Sequence, residues 1–273
     1  MFQPAIHKTS VRSLFATLEL IFHVAVRDIR MANSNAVVGL IVNVIQSSAM
    51  LATFWFMFNI LGLRGSAVRG DYMLYMMSGI FMYMTHVKTV RAVSKAEGPT
   101  SAMMKHAPMN TVVAIGGQAL AALYQQVLAA LVILFIYNTL FARIEIEFPV
   151  AAFSMMLLAW ITGIGVGMIF KAAMPWAPDF FKVAMTVYTT ANMIASGKMF
   201  LANSLPTSIL YWFSWNPLFH IIDQTRGFVF LNYNPHYTSV SYAVIVGMVL
   251  IFFGLMGDTF TRQHASASWS AGR

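Results

Sequence analysis

No cysteine occurs in this 273-residue chain. Disulfides, thiolate nucleophiles and Cys-ligated zinc or iron–sulfur sites are therefore excluded. Charge is scarce as well: Asp, Glu, Lys and Arg together make up 10% of residues, against about 25% in an ordinary soluble domain. The motifs of soluble catalysis are missing too. There is no G-x-x-x-x-G-K-[ST] phosphate loop; the one Gly-Lys pair, Gly197-Lys198, is followed by Met199 and lacks the upstream glycine. The chain is not expected to hydrolyse ATP by itself. No H-E-x-x-H or G-x-S-x-G occurs. The seven His residues are scattered, with no i,i+4 pair to hold a metal. No Asp-Asp or Asp-x-x-Asp pair is present, and the Glu145-Ile146-Glu147 pair reads more simply as a solvated turn than as paired catalytic carboxylates. No catalytic residue, metal ligand or cofactor site is expected in this chain.

What is present is apolar. Hydrophobic residues are 59% of the sequence, in runs near the length that crosses a hydrocarbon core of about 30 Å. The expected fold is an all-α polytopic membrane protein with six transmembrane helices at 36–61, 72–91, 111–138, 148–170, 181–201 and 239–258. The second is the weakest, because His86 and Lys88 sit near its end. In the third, Gln118, Gln125 and Gln126 mark a face turned toward protein or water. The "GIGVG" of the fourth puts Gly163 and Gly167 at the spacing that allows close helix approach, weak evidence by itself for a dimer contact. Carboxylates are nearly absent from the span centres, which argues against a proton-coupled carrier and for a pore-forming subunit driven from elsewhere.

Lys and Arg set the orientation. With both termini in the cytoplasm, the inner segments hold Arg12, Arg27, Arg30, Arg91, Lys95, Lys105, Lys171 and Arg262, among others. The outer ones hold Arg64, Arg69, Arg143, Lys198 and Arg226. The net charge of +8 thus serves topology rather than nucleic-acid binding. Lys198, near the outer end of the fifth span, is expected to snorkel to the interface. The N-terminus lacks the pattern of a cleaved signal, so the first span is expected to be kept.

Three divisions follow: a cytoplasmic N-terminus at 1–35, a six-span unit at 36–258 and a short polar cytoplasmic tail at 259–273, expected to be disordered. Before the first span, Leu14, Leu18, Phe22, Ala25 and Ile29 recur at helical spacing beside Arg12, Glu19, Arg27, Asp28 and Arg30. This reads as an amphipathic helix in the cytoplasmic interface. The basic loop at 91–110 carries Pro99 and Pro108, which would start and end a short helix. A solvated loop that only fixes topology fits it equally.

The stretch 204–235 is different again. It holds two apolar pieces, 207–215 and 218–231, each too short to span. Pro206 precedes the first and Asn216-Pro217 separates them. Two re-entrant half-helices entering from the outer face are expected, lining or capping a cavity, because non-helical backbone at membrane depth needs protein or water around it. A folded outer loop with Trp212, Phe213 and Trp215 as interfacial aromatics is the alternative. His220, Asp223 and Arg226 share one helical face, and Asp223 could pair with Arg226 or with a neighbouring chain.

These residues also carry a resemblance. "SLP" at 204–206, "NPLFH" at 216–220, Arg226 and "NYNP" at 232–235 resemble the pattern of ABC-2 type polysaccharide-export permeases, especially the capsular polysaccharide exporters. "RDIR" at 27–30 with Gly39 resembles that family's entry into its first span. The order of elements is similar from end to end. The sequence departs from the family in having no Trp and Pro in "GLIVNVIQSSAM", and Met31 and Ala32 where an aromatic is usual.

The resemblance implies a transport subunit of the bacterial inner membrane. Two copies would pair with two copies of a separate ATPase, which binds ATP and Mg, and periplasmic export proteins would complete the path. Lys95, Glu97, Pro99, Lys105 and His106 would lie in a coupling helix at 95–107 docking into the ATPase, beside Arg27, Asp28 and Arg30. Trp215, Asn216, Pro217, His220, Asp223 and Arg226 would form an outer gate. A lipid-linked glycan would pass. Aromatic faces suit sugars, so Phe54, Trp55, Tyr72, Tyr75, Tyr83, Trp160 and Tyr188 are candidates to line its conduit, against the plainer reading of lipid anchoring. Rival readings are an ABC-2 permease for an O-antigen, a teichoic-acid-like glycan or a drug, a membrane enzyme acting on lipid-linked sugars, and a channel.

Overall fold

The computed structural model describes residues 11–32, 36–60, 71–97 and 111–264. Among these every regular element is helical: α1 (Val11–Ala32), α2 (Ala36–Ile60), α3 (Tyr72–Ser94), α4 (Thr111–Leu140), α5 (Pro149–Ala173), α6 (Pro178–Ala195), α7 (Thr207–Phe213), α8 (Pro217–Val229) and α9 (Val240–His264), with a short 3-10 turn at Ala202–Ser204. Four segments are long and apolar enough to cross a membrane: Val37–Met57, Thr111–Leu140, Pro149–Ala173 and Val240–His264. They coincide with the expected first, third, fourth and sixth spans.

The expected second span, α3, is the axis of the fold. It packs against α2, α4, α5, α6 and α8, and Met76, Ile80, Val90 and Val93 are almost wholly enclosed. A helix surrounded by protein can carry polarity that lipid would reject. Thr85 and Thr89 return their hydroxyls to the carbonyls of Phe81 and Thr85, both at 2.7 Å. Lys88 donates to Asn43 of α2. Asn43 in turn donates to Gln125 of α4 at 2.9 Å, and Gln126 donates to Asn43 at 3.4 Å. The glutamine face of α4 therefore looks into α2 and, through Gln118 and Asp28, into α1.

Proline starts several helices where a missing N–H costs nothing: Pro149, Pro178 and Pro217 sit in the first turns of α5, α6 and α8. Glycine sets the close contacts. A Cβ on Gly163 would lie 2.8 Å from the His86 carbonyl, and one on Gly167 would lie 2.7 Å from the Val93 side chain. The small-residue pair of α5 is thus used inside the chain, against α3.

Three expectations change. The fifth span was expected to run 181–201, but α6 stops at Ala195 and a turn follows. Lys198, in that turn, does not snorkel: it is 0% exposed. Residues 259–264, expected to be disordered, continue α9 to His264. On α1 the apolar stripe divides. Val24 and Ala25 are buried against Gly117 of α4, while Leu14, Leu18 and Phe22 stay exposed on the outer side of the helix.

Candidate functional site

The stretch 204–235 forms from local signals. Pro206 precedes the two-turn α7. Asn216 then caps α8, its side-chain oxygen accepting from the Leu218 amide at 3.0 Å, a cap worth about 1 kcal/mol. The Asn216 amide also donates to Asn192 at 2.9 Å and to the Ala195 carbonyl at 3.0 Å, which fastens the start of α8 to the end of α6. Trp215, next in the turn, is 70% exposed, and its carbonyl accepts from Tyr242 at 2.8 Å.

Each polar residue of α8 has a fixed partner. The Ser239 amide donates to Nδ1 of His220 at 3.0 Å, which leaves Nε2 as the protonated nitrogen, donating to the Ser214 carbonyl at 2.6 Å. Asp223 accepts from the hydroxyls of Tyr233 at 2.5 Å and Thr238 at 2.8 Å, and from the Ala202 amide at 3.3 Å. Arg226 donates to the carbonyls of Gly197 at 3.0 Å, Lys198 at 2.5 Å and Phe200 at 2.6 Å. Of the two pairings weighed for Asp223, the one with Arg226 of the same chain does not form. The carboxylate serves the loop after α8 and the 3-10 turn, and the guanidinium serves the turn after α6. Carbonyl oxygens arrayed on three residues suit the planar fork of donors that Arg offers.

Beside α8 lies an apolar cavity of about 440 Å³, bounded by Met77, Phe81, Ala130, Met156 and Val229. Thr225 and Ser78 also reach it, but their hydroxyls are spent on the carbonyls of Ile221 and Tyr75. The cavity therefore offers shape and apolar surface without free hydrogen-bonding groups.

The aromatic residues expected to line a conduit are distributed otherwise. Tyr75 is buried under the Arg226 guanidinium, 4.1 Å from the ring centre, and stacks on Tyr72. Phe54 and Tyr83 are buried against Lys198. Tyr188 pairs with His86 at 2.8 Å, and Trp160 donates to the Ala119 carbonyl at 2.7 Å. Of the seven, Trp55 is the most exposed, at 43%. Within one chain several of these rings cover cations or join helices. The cage around Lys198 was not foreseen. Its only sequence signal was a lysine inside an apolar run beside a glycine.

Near the end of α3, Arg27 of α1 reaches Glu97 at 3.5 Å and Asp28 at 3.7 Å. Burial, partly offset by Arg27, pushes the Asp28 carboxyl above its usual range. Arg30 borders a groove between α1 and α4 with Phe22, Ile29, Leu120 and Tyr124. Lys95 is exposed just past the end of α3. Pro99, Lys105 and His106 lie outside the described residues. Deeper in the bundle, Lys171 of α5 meets Asp258 of α9 at 2.5 Å, and Arg262 joins them at 3.3 Å.

The chain is similar to two E. coli proteins named polysialic acid transport protein KpsM. One is 30% identical and the other 29% identical, each over 112 residues. Each alignment covers 40% of this chain and 43% of the relative, so less than half of either relative's length is matched. The ABC-2 type transporter family matches residues 19–230, from the middle of α1 to the end of α8. That range takes in most of the chain, α7 and α8 included, and this chain belongs to the ABC-2 type transporter family.

Proposed function

We propose that this chain is the membrane-spanning permease subunit of an ATP-driven exporter that moves a lipid-linked polysaccharide of the capsular class across the bacterial inner membrane. The observation that carries the reading is the helix pair α7–α8. Seven and thirteen residues long, these helices are too short to cross a bilayer. They sit between the ends of α6 and α9 inside a chain of this family. Similarity to proteins named for polysialic acid transport supports a polysaccharide as cargo.

In this reading α3 and α6 complete a set of six spans, with both termini cytoplasmic and α7–α8 re-entrant from the outer face. Two copies form the translocation unit. Two copies of a separate ATPase supply the ATP and Mg chemistry. The segment 95–107 docks on the ATPase, and α1, held to Glu97 by Arg27, moves with it. The enzyme reading loses ground because His220 and Asp223 are both committed to backbone and hydroxyl partners.

Purification of the tagged protein from its native membrane in mild detergent, read by mass spectrometry, tests the class. A roughly stoichiometric P-loop ATPase is the expected companion. A stable oligomer without any ATPase would overturn the reading.

A further inference from the structure

Lys198 raises a question of charge balance. The chain has nine carboxylates, and all lie in described segments. Glu19 faces His23, Asp28 and Glu97 face Arg27, Asp179 faces Lys182, and Asp258 faces Lys171 and Arg262. Asp71 caps α3 and takes the Tyr137 hydroxyl. Asp223 takes Tyr233 and Thr238. Glu145 and Glu147 sit in the loop before α5. None of the nine forms an ion pair with Lys198, and its buried Nζ makes no hydrogen bond among the described residues.

What the ammonium does meet is two ring faces, Tyr83 at 3.7 Å and Phe54 at 4.7 Å from their centres. Such contacts recover only part of what burying an unpaired ammonium costs. A methionine of similar length would fill the same space without that cost. Asp223 of α8 is held by Tyr233, Thr238 and the Ala202 amide and forms no ion pair with Lys198. An intramembrane charge that its own chain leaves unneutralised marks a place for an opposite charge from outside the chain.

The turn that carries Lys198 is tied to the gate helix. Arg226 of α8 holds its Gly197, Lys198 and Phe200 carbonyls. Gly197 has a φ of +69°, and a Cβ there would lie 2.5 Å from the Phe219 ring of α8. A side chain at 197 would be both strained and blocked. Any displacement of α8 therefore carries this turn along or releases it.

We propose that Lys198 is the receptor for an anionic group of the substrate, a glycan carboxylate or a lipid-anchor phosphate. The two rings shield the ammonium while α8 is seated. When α8 moves, the ammonium leaves the ring faces and pairs with the anion, and the faces of Phe54 and Tyr83 become free to stack on sugar. The word substrate rests on the export reading above. The binding itself is a property of the permease alone.

The test uses the full-length purified permease in nanodiscs of phosphatidylcholine, without ATPase. Hyaluronan octasaccharide is the carboxylate probe, phosphatidylglycerol added to the nanodisc is the phosphate probe, and a dextran oligomer is the neutral control. Calorimetry reads the glycans and native mass spectrometry reads the lipid. At least one acidic probe is expected to bind, Lys198→Met to weaken it by about tenfold or more, and Lys198→Arg to retain it, with dextran unchanged throughout. Hyaluronan alone would assign the glycan carboxylate, and phosphatidylglycerol alone the lipid phosphate. Lys198→Met relieves a buried charge, so it is expected to fold with a melting temperature at or above wild type. Equal binding of acidic probes by wild type and Lys198→Met, or no acidic binding by wild type, would overturn the proposal. So would a Lys198→Met protein that melts lower with its anion binding intact, which would make Lys198 a packing residue. Because ATPase capture is not the readout, this result and that of the export reading can fail separately.

Discussion

The guanidinium of Arg226 lies 4.1 Å from the ring centre of Tyr75 while donating at 2.5 Å to the carbonyl of Lys198. One side chain of α8 thus touches the central helix α3 and holds the turn after α6. Its three carbonyl partners belong to a segment without regular helix, where the Gly197 carbonyl also accepts the Phe200 amide at 3.3 Å. α8 is fastened by a cation.

Arg226→Gln is expected to lower stability by about 3 kcal/mol or more, since buried carbonyls lose a charged donor. Arg226→Lys should recover only part of this, because an ammonium lacks the planar fork that reaches three oxygens. Thermal melting in detergent, with limited proteolysis in the 196–204 turn, measures both. If Arg226→Gln melts and digests like wild type, the guanidinium is not what holds α8.

The Lys171–Asp258 pair makes a contrasting case. Both side chains are nearly buried at 2.5 Å, joining α5 to α9. Asp258→Asn is expected to cost about 3–5 kcal/mol, because it strands a buried ammonium. The double change Lys171→Met with Asp258→Leu should lie closer to wild type than the sum of its parts. A double-mutant cycle by thermal melting checks this, and additivity of the two single changes would show that the pair is not coupled.

Asp28 predicts a pH dependence. Burial raises its folded pKa above the usual 3.8. Within the window between 3.8 and that raised value the folded state binds more protons than the unfolded one, so stability falls as pH rises. Above the window the destabilisation is complete and constant. Asp28→Asn, which keeps an oxygen for Gln118, should remove this slope without lowering stability at neutral pH. A melting series across the acidic range would expose the error if the slope survived in the variant.

The sequence showed the long apolar helices because hydropathy and length act along the chain. Proline and asparagine at 206, 216 and 217 showed the α7–α8 break for the same reason, since they act on their own backbone. Partners chosen in three dimensions were hidden. Asp223 and Arg226 sit three residues apart on α8, yet each turns to a different loop, because carbonyls at 197–200 and hydroxyls at 233 and 238 return there through the fold. Lys198 was misplaced for a related reason: a lysine near a helix end usually reaches water, and only the meeting of α2, α3 and the post-α6 turn closes two rings over it. The aromatic residues proposed for a conduit were legible as a group, but their ring faces were not, since Lys198 and Arg226 arrive from far along the chain.

The seat of α1 yields the last prediction. A Cβ on Gly117 of α4 would lie 2.4 Å from Cγ1 of Val24, a branched side chain on a helix with little room to yield. Gly117→Ile should therefore lift α1 from α4 at a cost of about 1–3 kcal/mol, and with it the Arg27 contact to Glu97. The absence of native cysteine makes the displacement directly readable. Val24 is 7% exposed, so a Val24→Cys protein should react slowly with a maleimide. The same cysteine combined with Gly117→Ile should react faster, while a cysteine placed at the already exposed Leu18 should be unaffected. Equal labelling rates at position 24 with and without the Gly117 change would show that α1 is held by something other than this close approach. If the helix does relay motion between the ATPase and the bundle, the Gly117→Ile permease should still assemble with its ATPase but show weaker stimulation of ATP hydrolysis by substrate, because the contact that links α1 to the end of α3 has been drawn apart.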